Sequence, residues 1–155
     1  ESFLKKIFEV NLFGAFWGCK SVVPFLEKGS SIINISSIAG KRGSSNNSAY
    51  VATKFGMNGL TQSLAKELGP KGIRVNAICP VLVKTEGLMK ALAEESAPGF
   101  PDPEDFLNKF RNSQSAFGRL PIADEVAKMV LFLASADSSA ITGQCMNLDC
   151  GVFPQ

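Results

Sequence analysis

The sequence predicts an α/β domain built on a parallel sheet. Two observations carry that reading. Stretches with apolar residues at three- and four-residue steps alternate with short β-branched runs, in the order helix, strand, helix, strand, helix, strand. The strand-like runs are apolar on both faces, as strands buried between two helical layers are.

Residues 2–26 carry the first helical pattern, through Leu4, Ile7, Phe8, Leu12, Ala15 and Cys19, and Pro24 should kink or end its last turn. Ser31-Ile32-Ile33-Asn34-Ile35-Ser36 reads as a buried parallel strand, followed by a polar, Gly-containing stretch from Gly40 to Ser48. A second helix is predicted from Ser48 to Leu68, stopped by Gly69-Pro70. Arg74–Cys79 reads as another buried strand, ended by Pro80. From Val81 to Leu120 the pattern is irregular, with Pro98, Gly99, Pro101 and Pro103 and a short helix over Asp102–Arg111. Helical spacing returns over Ala123–Leu133, and a last strand spans Cys145–Leu148. Three strands are fewer than a doubly wound sheet usually carries, which predicts a chain that is part of a longer domain.

Length and composition narrow the function. The 155 residues, 45% of them hydrophobic, suit one compact domain. The net charge of +2, with no basic stripe, predicts no nucleic-acid partner. No apolar run reaches membrane-span length, so no membrane partner is expected either. The absence of His excludes Ser-His-Asp and Cys-His nucleophilic sites and every metal site that needs imidazole. Cys19, Cys79, Cys145 and Cys150 form no C-x-x-C pair, so no metal is expected. Free thiols in a reducing compartment are the simpler reading, which predicts a cytoplasmic location. No signal peptide opens the chain, which begins at Glu1 rather than Met.

Proton transfer must then rest on carboxylates, Lys, Cys or the single Tyr. That residue opens Tyr50-Val51-Ala52-Thr53-Lys54. At i and i+4 of a helix the phenol and the ammonium share a face, where the ammonium is expected to lower the phenol pKa. A bare exposed i,i+4 pair is the competing reading. Ser36-Ser37 stands at the carboxyl end of the first strand, where parallel sheets bind ligands, and a hydroxyl there can donate to a substrate oxygen. A Ser that satisfies the loop backbone is the alternative. Asn11 lies on the apolar stripe of the first helix, where a buried amide must find partners, whether functional or a backbone carbonyl.

Together these residues resemble the short-chain dehydrogenase/reductase family, whose pattern is an Asn in a helix, a Ser after a strand, then Tyr-x-x-x-Lys. Here these are Asn11, Ser37, and Tyr50 with Lys54; the thirteen-residue step to Tyr50 selects Ser37 over Ser36. Ile73–Pro80, Phe117-Gly118-Arg119 before Glu125-Val126-Ala127, and Thr142-Gly143-Gln144 with Asp149 match as well. The resemblance implies the C-terminal part of a doubly wound, Rossmann-like domain over 1–155, with a substrate lid at about 85–117. It implies hydride transfer between NAD or NADP and a small-molecule carbonyl or secondary alcohol, and the lid aromatics suggest an apolar one. Tyr50 would move the proton, Lys54 would assist it and hold the cofactor ribose, Ser37 would orient the substrate oxygen, and Asn11 would hold a relay water. Tyr50, Lys54, Pro80, Val81, Val83 and Thr85 would meet the cofactor. The helices over 2–26 and 48–68 would pack against a partner subunit in a homodimer or homotetramer.

Two departures stand out. Val81 replaces the family's usual Gly beside the nicotinamide, and Cys150 replaces a Gly in the closing Asp-Gly-Gly. The family's N-terminal T-G-x-x-x-G-x-G turn, which cradles the pyrophosphate, has no counterpart here. An alternative is therefore a catalytically incomplete fragment that retains only oligomerisation surfaces. An extended-family epimerase or dehydratase shares Tyr-x-x-x-Lys, but the closing Thr-Gly-Gln strand favours the reductase pattern.

Overall fold

A computed structural model describes residues 1–154. Three parallel strands, β1 (Ser31–Ile35), β2 (Arg74–Pro80) and β3 (Cys145–Leu148), lie side by side in that order. Ser31 pairs with Arg74, and Ala77 with Cys145. Helix α3 (Ser48–Leu68) links β1 to β2. Helices α4 (Glu86–Leu92), α5 (Pro103–Gln114) and α6 (Ala123–Ala134) lie between β2 and β3. Helices α1 (Ser2–Phe8) and α2 (Gly14–Val22) precede the sheet. Among the described residues, no helix is long and apolar enough to cross a membrane.

β2 is central, and all seven of its residues are buried. Its side chains alternate between two helical layers, as strand geometry requires. Val75 packs with Ala65 and Leu68 of α3. Arg74 turns the other way: its Nη1 donates to the Leu133 carbonyl at 2.6 Å and to Ser138 Oγ at 2.8 Å, and its Nη2 to the Ser135 carbonyl at 3.0 Å. A buried guanidinium thus neutralises the open carbonyls at the C-terminus of α6.

Several elements differ from the expectation. The span 2–26 is one rod with three geometries: a π-helical segment over Glu9–Phe13 interrupts it, and Val23–Phe25 closes it as a 3₁₀ turn. Pro24 stands in that closing turn, which explains the stop. The apolar stripe of this rod turns inward from Ile7 on: Ile7, Phe8, Leu12 and Ala15 are half-buried and Cys19 is buried, while Leu4 on it and Phe3, Val10, Phe16 and Trp17 are exposed. β1 is only partly buried because it stands at an edge of the three-stranded sheet. The stretch 81–120 contains two helices rather than one short one. Thr85 caps α4 by accepting from the Leu88 amide at 3.2 Å, and Asp102 caps α5 by accepting from the Asp105 amide at 3.0 Å. Both caps use the short polar side chains that make such a stretch read as loop.

Candidate active site

β1 delivers the chain to Ser36 and Ser37 at the carboxyl end of the sheet. Ser37 has an extended backbone, and its Oγ accepts from the Ala39 amide at 3.1 Å, capping the 3₁₀ turn Ile38–Gly40. With a lone pair engaged, the Ser37 O–H is left to donate, and the hydroxyl favours the phenolate form of Tyr50.

α3 supplies the other side. Lys54 Nζ donates to the Ile35 carbonyl at 3.0 Å and lies 5.7 Å from the centroid of the Tyr50 ring. Helical spacing alone predicts an ammonium that lowers the phenol pKa. Here the ammonium sits over the ring and its bond is aimed at a backbone carbonyl. Burial dominates and holds Tyr50 above its ordinary value, with the Ser37 hydrogen bond pulling it down. Burial also lowers the Lys54 pKa, opposed by the neighbouring Cys79 sulfur.

Asn11 falls within the π-helical segment, half-buried. Its Nδ2 donates to Thr53 Oγ1 at 3.3 Å, and that hydroxyl donates to the Tyr50 carbonyl at 2.7 Å. Asn11 is therefore joined to α3 through the residue that precedes Lys54. A π segment sits where α3 comes close: a Cβ on Gly56 would meet Leu12 Cδ2 at 2.9 Å. Such segments recur at functional sites because they widen the turn and redirect backbone carbonyls.

The stretch after β2 borders this cluster. Pro80 ends the strand, paired with Leu148. The β-branched Val81, 7% exposed, packs with Ile38, Cys79 and Val152. Its side chain is thus absorbed by the core. Val83 is half-buried and Thr85 exposed, further along the same loop and outside the hydrogen-bonded cluster. Because the Thr85 oxygen accepts from Leu88, its O–H remains free to donate. The donor set of Lys54, Tyr50 and Thr85, beside a backbone loop, fits the ribose and carboxamide of a nicotinamide nucleotide.

The structure also brings in residues that the motif does not contain. Asn58 is buried; its Nδ2 donates to the Gly40 carbonyl at 2.9 Å, and its Oδ1 accepts from Cys79 Sγ at 3.8 Å. Ser36 Oγ donates to the Lys54 carbonyl at 3.5 Å. The signal for Asn58 is simple in retrospect: 50, 54 and 58 continue one i+4 row on α3.

A family model described as enoyl-(acyl carrier protein) reductase matches residues 1–153. The chain is 42% identical to L-2,3-butanediol dehydrogenase of Corynebacterium glutamicum, over 99% of this chain and 60% of that protein. It is 44% identical to 3-alpha-(or 20-beta)-hydroxysteroid dehydrogenase of Mycobacterium tuberculosis, over 95% of this chain and 51% of that protein. Among solved structures, the aldohexose dehydrogenase of Thermoplasma acidophilum superposes with a TM-score of 0.87 at 32% identity, covering 100% of this chain and 64% of the other. Levodione reductase superposes with a TM-score of 0.86 at 33% identity, covering 96% and 57%. The chain thus spans about 60% of the length of the butanediol relative. Its parallel sheet between two helical layers is the doubly wound, Rossmann-like arrangement of those structures. On the match of nearly its whole length to the family model, the chain belongs to the short-chain dehydrogenase/reductase family.

Proposed function

We propose that this chain carries the proton-transfer half of an NAD(P)-dependent oxidoreductase that interconverts a carbonyl compound and a secondary alcohol. The observation that carries this reading is the Ser37–Tyr50–Lys54 cluster at the carboxyl ends of β1 and β2. The nicotinamide, when bound, supplies or accepts the hydride. Tyr50 gives its phenolic proton to the carbonyl oxygen, or takes the alcohol proton in reverse. Ser37 donates to the same oxygen and steadies its developing charge. Lys54 stabilises the phenolate and holds the ribose. Asn11, tied to α3 through Thr53, steadies a water that relays the proton to solvent. Pro80, Val81, Val83 and Thr85 would border the nicotinamide, and the free Thr85 O–H would serve its carboxamide.

The relatives' names support the substrate class: a butanediol dehydrogenase, a diacetyl reductase and a hydroxysteroid dehydrogenase all refer to an alcohol or a ketone. Half-buried Leu88 and Met89 on α4 and the adjacent rings of Phe106 and Phe110, 6.2 Å apart, favour an apolar substrate under a lid formed by 85–117. The test is Tyr50→Phe in the catalytically competent protein: turnover should fall by about a thousandfold or more, with the fold retained by circular dichroism. Turnover at the wild-type rate would overturn the reading.

A second reading is favoured by one observation, the exposed aromatic face of α1 and α2. There the chain serves assembly, pairing with a second copy in a homodimer or homotetramer, without turnover of its own. Titration of the 155-residue chain with NADH and NADPH, followed by nicotinamide fluorescence, separates the two: saturable binding favours the enzyme, none favours assembly alone.

A further inference from the structure

Asn58 lies outside the motif, yet it touches all three elements that build the site. It is 7% exposed, and both ends of its amide are engaged. Its Nδ2 holds the Gly40 carbonyl on the β1 turn, and its Oδ1 takes the Cys79 thiol of β2. Gly40 is in turn locked to Ser37, because its amide donates to the Ser37 carbonyl at 2.9 Å. The approach is so close that a Cβ on Gly40 would meet both Asn58 Nδ2 and the Lys54 carbonyl oxygen at 2.7 Å. One amide therefore fixes the distance between the Ser37 turn and the i+4 row that carries Tyr50 and Lys54.

We propose that Asn58 is a positioning residue: by clamping the Gly40 carbonyl to α3, it sets where the Ser37 hydroxyl stands relative to the Tyr50 phenol. The proposal rests on the reading of that pair as the proton-transfer site, and it acts through Ser37 without touching substrate. The titratable groups that surround the joint are Lys54 on α3, Cys79 on β2, Cys145 on β3 and Lys41 just past the turn.

The chain offers a direct probe, since Tyr50 is its single Tyr. Its ionisation can be followed by the ultraviolet absorbance of tyrosinate in the 155-residue chain, with no cofactor present. The Ser37 hydrogen bond favours the phenolate, so losing it moves the midpoint upward. Two variants disturb the joint from opposite sides. Asn58→Ser shortens the amide so that it no longer spans to Gly40. Gly40→Ala leaves the amide in place and pushes the turn away. Both should raise the Tyr50 midpoint by about half a pH unit or more, with helical circular dichroism retained. In the catalytically competent protein both should lower kcat at neutral pH about tenfold, with KM within about threefold.

An unchanged midpoint in folded variants overturns the proposal. So does unfolding of both, because a joint whose loss melts the chain is a folding element and not a positioning one. A raised midpoint in both variants supports the proposal even if Tyr50→Phe leaves turnover intact, in which case the proton-transfer reading fails and the joint stands.

Discussion

From Thr53 to Thr61 the buried face of α3 is largely polar, while the outer face of α1 and α2 is aromatic and exposed. Thr53, Lys54, Asn58 and Thr61 are at most 9% exposed, and each has a hydrogen-bond partner. Phe16 and Trp17 are about half exposed, packed edge to face on each other with ring centroids 5.2 Å apart. Between α3 and this face runs an apolar groove lined by Leu12, Phe13, Phe16, Trp17 and Leu60. The contrast separates two uses of a helix surface. Satisfied polar groups inside fix one geometry, because any other leaves a donor or acceptor unpaired. Apolar groups outside lower the free energy of association with whatever covers them.

The largest effect is expected where the buried polar face is broken. Asn34 of β1 donates to Thr61 Oγ1 at 2.9 Å and accepts from Cys19 Sγ at 3.8 Å, so it ties β1 to α3 and α2 together. Asn34→Leu keeps the volume and removes both bonds. Stability should fall by about 1–3 kcal/mol, read as a lower urea midpoint at unchanged slope. An unchanged midpoint would show that the polar face is dispensable and would erase the contrast.

On the exposed face the opposite pattern is expected. Trp17→Ser removes the ring that Lys20 Nζ covers at 4.9 Å. Intrinsic stability should stay within about 0.5 kcal/mol. Self-association, measured by sedimentation over a concentration series, should weaken about tenfold. A large loss of stability in a monomeric sample would place Trp17 in the chain's own core and merge the two regions.

The two regions were not equally legible. The bounds of α3 and β3 follow from the sequence alone, since Gly69-Pro70 stops the helix and a β-branched or apolar run marks the strand. The Tyr50–Lys54 row is equally plain. The apolar periodicity of residues 2–26 marks the side on which Ile7, Phe8, Leu12 and Cys19 turn inward, but gives no account of the exposed Phe3, Val10 and Trp17 beside it. The π segment that holds Asn11 has no marker, because its residues suit an α-helix as well. The sign of the Tyr50 shift was also out of reach. It depends on how deeply the phenol is buried, and a spacing of four fixes the face that Tyr50 shares with Lys54 but not its burial.

A surface ion pair offers a smaller, pH-graded test of the same contrast. Arg119 donates to both Glu125 oxygens at 2.9 and 2.7 Å, and the Ile122 amide donates to the same carboxylate at 3.0 Å. The Arg119 hydrogen bond, then the Ile122 amide, bring the Glu125 pKa down to about 2. The folded state thus binds this proton less readily than the unfolded chain. The stabilisation is complete above the ordinary carboxylate range and is lost as pH falls toward about 2. Glu125→Gln should lower Tm at neutral pH by a few degrees, and the gap should close on acidification. A gap that persists at the acid end would assign the effect to packing.

The smallest effect is expected at Cys150, where the buried joint meets a strained turn. Cys150 has φ 54° and Gly151 φ 79°, so two successive residues occupy left-handed backbone. Gly151 has no freedom to change, because a Cβ there would meet the Ala116 methyl at 2.6 Å. Cys150 carries a Cβ in a region that glycine occupies without cost. The turn persists because its surroundings hold it. Asp149 accepts from the Gly151 and Phe153 amides at 3.0 and 2.8 Å, Ser115 Oγ donates to the Cys150 carbonyl at 3.1 Å, and Val152 packs against Ile38 and Val81. Cys150→Gly should therefore relieve about 1 kcal/mol of backbone strain. Glycine also widens the unfolded ensemble and takes back about half of that gain. The net is a rise in Tm of one or two degrees, with Tyr50 titrating as in the parent chain. A fall in Tm would mean that the thiol contributes more packing than its backbone costs. A shift in the Tyr50 midpoint would mean that the strain at Cys150 is transmitted through Val152 to the Ser37 turn.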